Sequence, residues 1–260
     1  MSDNKTFLKT TIGKKVLMAA TGLSLVGFLT SHLVGNFLLF DSIGGQEAFN
    51  NYANWLITHP AIIPMEIGLV ALFVLHIITA FKVTLDTKKA RPDRYQVSKN
   101  LGKSTFASRT MVHTGSLILI FLVLHIVTFK FGVNYKVGEV TASEIAKMEK
   151  DGKSKEVINK TVLASKVSKL DKNGKTIPAV RDLYRTVKER FRDKLYSIIY
   201  ILCMIGLGIH LCHGIKSAFQ TLGLNHPKYN GFIEKVSCIL AISFALGYSI
   251  FPIYFGFIAQ

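Results

Sequence analysis

Residues 195–216 read LYSIIYILCMIGLGIHLCHGIK, with Lys194 before them and Lys216 as their last residue. No Asp, Glu, Lys or Arg occurs between those two lysines, and a helix of about 20 apolar residues is what the hydrocarbon layer of a bilayer requires. Four further runs of the same kind lie at about 16–40, 61–81, 111–129 and 236–257. Apolar residues make up 49% of the 260-residue chain and charged residues 18%, with a mean hydropathy of +0.34. A soluble domain has no use for five such runs. The expected fold class is all-α, one integral membrane bundle of five transmembrane helices, here spans I to V. The polar tail precedes span I without a break, and Ala19 and Ala20 lie inside that run, where they make a poor cleavage site. Span I is therefore expected to be retained.

The net charge of +16 is not a nucleic-acid signature, because the basic residues sit in the loops between apolar runs. There they set orientation and favour anionic lipid headgroups or protein partners. Lys5, Lys9, Lys14 and Lys15 precede span I. Lys82, Lys88, Lys89, Arg91, Arg94, Lys99, Lys103 and Arg109 join spans II and III, and Lys216, Lys228 and Lys235 join IV and V. The I–II loop carries Asp41 and Glu47 but no Lys or Arg. The positive-inside rule thus predicts a cytoplasmic N-terminus and an external C-terminus. Residues 131–194 are basic yet external in this topology; at roughly 64 residues the loop is long enough to translocate regardless of charge. It is expected to be a solvated extramembrane insertion, with Thr141 and Glu144 as a capping box for a short helix. Tyr52 and Trp55 suit an interfacial aromatic belt. Cys203, Cys212 and Cys238 all lie in apolar runs, with no CxxC or CxxCH, and are expected to be small core residues.

Histidine carries the chemistry. His32, His76, His125 and His210 each lie well inside a different span, with His213 one turn beyond His210. Any one of them alone could be a hydrogen-bonded core residue, but ionisable groups recurring inside spans mark function. In the predicted topology His32 and His125 lie near the outer ends of spans I and III, and His76 and His210 near the inner ends of II and IV. Each is roughly 8–12 Å from its end at the helical rise. Two pairs at two depths suit two stacked haems, since an iron in the macrocycle takes one axial ligand on each side. Zinc instead wants its ligands in one tetrahedral cluster and often uses HExxH, which is absent. Spans I–II show no convincing repeat in III–IV beyond the histidine itself.

With these residues placed, the chain resembles the dihaem cytochrome b subunit of succinate:quinone oxidoreductases, the family of succinate dehydrogenases and fumarate reductases. The resemblance rests on Ala20-Thr21-Gly22 ahead of His32, on His76 leading into Ala80-Phe81-Lys82, and on His210-Leu-Cys-His213-Gly214-Ile215-Lys216 followed by Gly223. It implies four haem ligands, His32, His76, His125 and His210, paired as His32/His125 and His76/His210, with His213 as the rival or as a neighbour of the ligand. It also implies two non-covalent haems b and a quinone of low potential such as menaquinone. The partners it implies are a flavoprotein subunit and an iron–sulfur subunit on the cytoplasmic face of a bacterial inner membrane, and it leaves room for a dimer of the whole complex. Succinate oxidation, a step of the tricarboxylic acid cycle, would belong to those partners, since this chain has neither a dinucleotide-binding glycine motif nor a cysteine cluster.

The chain departs from the family at two places. Some fumarate reductases carry a proton-transferring glutamate two residues before the span IV ligand, where this chain has Gly208. The 131–194 insertion is also longer than the compact family pattern. Among weaker candidates, Glu66 near the outer end of span II is placed to exchange protons with quinone, the plain alternative being a snorkelling interfacial residue. Arg109 is placed to pair with a haem propionate or to act simply as a positive-inside anchor. His59, His113 and His226 lie at span edges or in loops and receive no role. Rival functions are the cytochrome b subunit of a membrane hydrogenase or formate dehydrogenase, and a histidine-lined transporter without haem.

Overall fold

The computed structural model describes residues 7, 10–90, 106–133, 135, 142–152, 181–224 and 226–259. Its helices in chain order are α1 (Thr11–Asn36), α2 (Gly45–Thr58), α3 (Ile62–Lys89), α4 (Phe106–Phe129), α5 (Ala142–Lys150), α6 (Leu183–Phe191), α7 (Lys194–Thr221) and α8 (Pro227–Ile253). Five of them, α1, α3, α4, α7 and α8, are long and apolar enough to cross a membrane. The chain is thus an all-helical, multi-pass membrane protein. Large apolar side chains such as Ile67, Val70, Val74 and Phe81 on α3, or Ile120 and Val123 on α4, are exposed. A water-soluble protein does not leave contiguous surfaces of this kind uncovered, whereas lipid covers them at no cost.

The spanning helices run past the apolar runs mainly at their basic ends: α3 continues to Lys89, α7 to Thr221, and α8 begins at Pro227. Local chemistry fixes these ends. The Thr10 hydroxyl accepts from the Gly13 amide at 3.0 Å, and Asp193 accepts from the amides of Leu195 and Tyr196 at 3.0 and 3.2 Å. His226, without a predicted role, caps α8 by accepting from the Lys228 amide through Nδ1, ahead of Pro227 in the first turn, where its missing N–H is no loss. Lys14 meets Asp86 at 2.6 Å and Lys216 meets Glu234 at 2.8 Å. The start of α1 therefore lies beside the end of α3, and the end of α7 beside the start of α8.

The chain forms two compact units. The first contains residues 1–36, 59–125 and 191–260, and so His32, His76, His125 and His210. Within it α1 packs on α3 and α7, and α7 packs most extensively on α8. The α7–α8 seam is built of small residues: a Cβ at Gly208 would lie 2.9 Å from the Ala245 Cβ. Such close backbone approach is what small residues permit between membrane helices. It brings the Cα atoms of Cys212 and Cys238 to 4.6 Å, and the two form a disulfide, while Cys203 is buried and reduced. The expectation of three unpaired core cysteines is corrected for this pair. Sequence spacing could not show it, because the register of α7 on α8 decides which residues meet.

The second unit contains residues 37–58 and 126–190, and it corrects two further expectations. The I–II connection is not merely a loop but contains α2, whose Phe49, Asn50 and Ala53 are buried. The 131–194 insertion is not solvated throughout. Asp182, 1% exposed, accepts from Gln46 Nε2 at 2.6 Å, Asn50 Nδ2 at 2.8 Å and the Arg185 amide at 3.0 Å. Asn50 Oδ1 in turn accepts from the Tyr184 amide. Arg181 donates to the carbonyls of Phe129 and Lys130, satisfying the orphan acceptors at the end of α4. Helix α5 begins where the capping box predicts one, although Thr141 itself lies outside the described residues, as do Lys5, Lys9, Arg91, Arg94, Lys99 and Lys103.

Candidate functional site

The four histidines meet as two pairs. The rings of His32 on α1 and His125 on α4 have centroids 6.0 Å apart and planes 82° apart. His76 on α3 lies close enough to His210 on α7 to interact with it electrostatically. A metal bonded at about 2 Å to two imidazoles on opposite sides sets their centroids roughly 6 Å apart. The His32–His125 separation has that size. Among the described residues, no three or more His, Cys, Asp or Glu side chains gather into a metal-binding cluster; the donors come in twos.

The surroundings of the His76/His210 pair are matched. Thr21 Oγ1 lies 3.2 Å from His76 Nδ1, and Thr114 Oγ1 lies 3.2 Å from His210 Nδ1. Each threonine also bonds to carbonyls of its own helix, Leu17 and Met18 in α1, Thr110 and Met111 in α4. The Met18 carbonyl also lies against His76 and the Met111 carbonyl against His210. Each threonine oxygen, its hydroxyl donating to its own helix, can accept from Nδ1, which would leave Nε2 with the lone pair that a metal-ligating histidine needs. Behind each threonine a glycine makes room: a Cβ at Gly22 would stand 3.3 Å from His76 Cε1, and one at Gly115 3.4 Å from His210 Cε1.

This symmetry is written in the sequence. Met18-x2-Thr21-Gly22-x5-Phe28-Leu29-x2-His32 recurs as Met111-x2-Thr114-Gly115-x5-Phe121-Leu122-x2-His125. His76-x3-Ala80-x-Lys82 corresponds to His210-x3-Gly214-x-Lys216. The expectation that spans I–II are not repeated in III–IV is therefore corrected. The pair α1 and α3 thus carries the same motif as the pair α4 and α7, and α1 and α4 run the same way, since their threonines flank one histidine pair and their own histidines form the other. The signal was six identities at fixed spacing. Comparing spans as wholes hid it, because apolar residues interchange freely along lipid-facing helices.

The His32/His125 pair has aromatic walls. Phe28 stacks on His32 at 5.4 Å, and Phe121 lies 5.7 Å from the His125 ring. Tyr248 of α8 lies 6.0 Å from His32 and donates to the Leu29 carbonyl at 2.7 Å. Tyr200 of α7 places its hydroxyl 3.5 Å from His125 Nδ1. The two helices that bring one histidine each to opposite pairs, α3 and α4, are barely covered by protein: almost none of the most apolar stretch of α3 is buried and none of that of α4. Helix α4 touches the rest of its unit through side chains, Thr114 on His210 and Leu117 on Gly206. Imidazoles in pairs, with glycines clearing the ring edges of His76 and His210 and aromatic walls at His32 and His125, are donors of the kind a bis-histidine haem takes.

The remaining candidates lie apart from this arrangement. His213 is half-buried and interacts with both His210 and Lys216, whereas the Thr114 and Met111 contacts are made by His210. Glu66 and Arg109 are exposed near the starts of α3 and α4. His59 turns its Nδ1 to the Ala61 amide. Gly208, where a proton-transferring glutamate stands in the family resembled, is closed off by Ala245 and the Ala241 carbonyl. Gly208→Glu is expected to wedge α7 from α8 rather than create a proton route. The overpacking costs about 3 kcal/mol, read as a lower Tm of the detergent-solubilised protein; an unchanged Tm would contradict the seam.

Searches against family models, curated proteins and solved structures give no match for this chain.

Proposed function

We propose that this chain is the membrane-anchor cytochrome b subunit of a succinate:quinone oxidoreductase, passing electrons between an iron–sulfur subunit and a membrane quinone of the menaquinone type. The observation that carries the proposal is the approach of the His32 and His125 rings to 6.0 Å, with His76 and His210 near each other and each flanked by a threonine of one recurring motif. Haem b, if bound at each pair, would supply a one-electron carrier, and two histidine ligands would favour electron transfer over oxygen chemistry. His32 and His125 would hold one group and His76 and His210 the other. Thr21 and Thr114 orient the second pair, while Phe28, Phe121, Tyr200 and Tyr248 keep water from the first. Glu66, near one end of α3, is the candidate for proton exchange with quinone, and Arg109 the candidate for a propionate. The positively charged ends of the spanning helices face the cytoplasm of a bacterium in this proposal and dock the flavoprotein and iron–sulfur subunits. Gly208 leaves the subunit without the family's glutamate proton relay.

The repeat itself favours a second reading. Transporters are commonly built from internal repeats around a site at the bilayer midplane, and a histidine-lined proton route would carry no haem. Affinity purification of the chain from its native membrane separates these. The proposal expects a covalent-flavin or flavin-binding subunit and an iron–sulfur subunit in equimolar amounts, with succinate-dependent quinone reduction in the eluate. Recovery of hydrogenase or formate dehydrogenase subunits would move the chain to another redox complex, and recovery of the chain without redox partners or haem would favour transport.

A further inference from the structure

The matched threonines point to a role that the histidines alone do not explain. Thr21 and Thr114 occupy equivalent places in the two copies of the repeat, at the same 3.2 Å from Nδ1 of His76 and His210. Each hydroxyl has a carbonyl of its own helix to donate to, at 2.9 Å for Leu17 and 3.1 Å for Thr110. Its oxygen is thereby free to accept from the imidazole. Threonine back-bonding to the preceding turn is ordinary in helices. Its coincidence with an imidazole nitrogen twice, next to a glycine that clears the ring edge twice, is not. In the other pair, His125 Nδ1 lies 3.5 Å from the phenol of Tyr200 on α7.

We infer that Thr21 and Thr114 are paired positioning residues that fix the Nδ1–H tautomer and ring orientation of His76 and His210, strengthen both as metal donors, and so hold the haem at that level at a lower reduction potential. The inference rests on the dihaem proposal. An imidazole that donates its Nδ1 proton to an acceptor gains imidazolate character and binds the ferric iron more strongly than the ferrous one. In the low dielectric of a membrane interior such a bond keeps its strength. Because the copies are equivalent, each threonine should contribute about equally to one and the same centre.

The test is a potentiometric titration and low-temperature EPR spectroscopy of the intact complex carrying Thr21→Val, Thr114→Val or both, with Thr→Ser at each position. Valine keeps the shape and removes the hydroxyl. The expected result is that each valine variant raises the midpoint of the same haem, the one lost in His76→Ala, and shifts its low-spin ferric signal while the second haem stays put. The double variant should show roughly the summed shift, up to the about 59 mV that a tenfold change in a one-electron equilibrium represents. Serine should restore the wild-type values. If a valine variant loses that haem, restoration by serine supports the role and failure of serine to restore it counts against it. Unchanged potentials and EPR signals, or shifts in two different haems, overturn the inference while leaving the dihaem proposal standing; a wild-type complex without haem overturns the proposal itself.

Discussion

His125→Ala is expected to leave one haem b per chain where the proposed function gives the unaltered protein two, and to lower succinate-driven quinone reduction by the complex about 100-fold or more. The ring of His125 faces that of His32 across 6.0 Å, and nothing else described on α4 at that level carries a ligating nitrogen. Removing it would leave His32 as the one protein donor to the proposed group, and the loss of a ligand exceeds the 10–100-fold that loss of an outer-shell partner alone costs. His32→Ala should remove the same haem, and His76→Ala or His210→Ala the other. His213→Ala should keep both, because the Thr114 and Met111 contacts belong to His210. A pyridine haemochrome count on each purified variant, beside the quinone assay, checks this. Two haems in His210→Ala with one in His213→Ala would reassign the ligand.

The largest effect on stability is expected away from the histidines, at Asp182. Its carboxylate is the N-cap of α6 and accepts from the Gln46 and Asn50 side chains as well as from the Arg185 amide. Asp182→Ala leaves the buried Asn50 side-chain amide unpaired and removes a cap, which together cost about 3–5 kcal/mol. The unit of residues 37–58 and 126–190 should then open locally, read as rapid proteolytic cleavage after Lys188 or Arg190, while the haem content stays at two. Asp182→Asn, which keeps an acceptor oxygen at the cap, should cost less than half as much. Protease resistance equal to wild type in Asp182→Ala would show that the network does not hold this segment.

The five spanning helices were legible because an uncharged run long enough to cross hydrocarbon needs no tertiary information. Their ends were less legible. Helices α3 and α7 continue past the apolar run through Lys88 and Lys216, since a helix needs no apolar residues once it leaves lipid. Helix α2 is not legible in the charges of the I–II connection, Asp41 and Glu47; only the helical spacing of Phe49, Asn50 and Ala53 marks it. The four histidines were legible as rare polar residues in apolar surroundings. Thr21 and Thr114 were not, because threonine inside a span ordinarily satisfies itself on the preceding turn and so signals nothing. Only their recurrence with Gly22 and Gly115, at equal distance before His32 and His125, marks them. The Cys212–Cys238 disulfide had no signal at all, since it depends on how closely Gly208 lets α8 approach α7.

The most direct measurement is a dithionite-reduced minus air-oxidised absorption spectrum, with a pyridine haemochrome count, on the chain purified with its partners from cells supplied with haem. Two non-covalent haems b per chain is the result expected of two histidine pairs. Material without haem would contradict the cytochrome assignment and leave the histidines to be explained as a proton route.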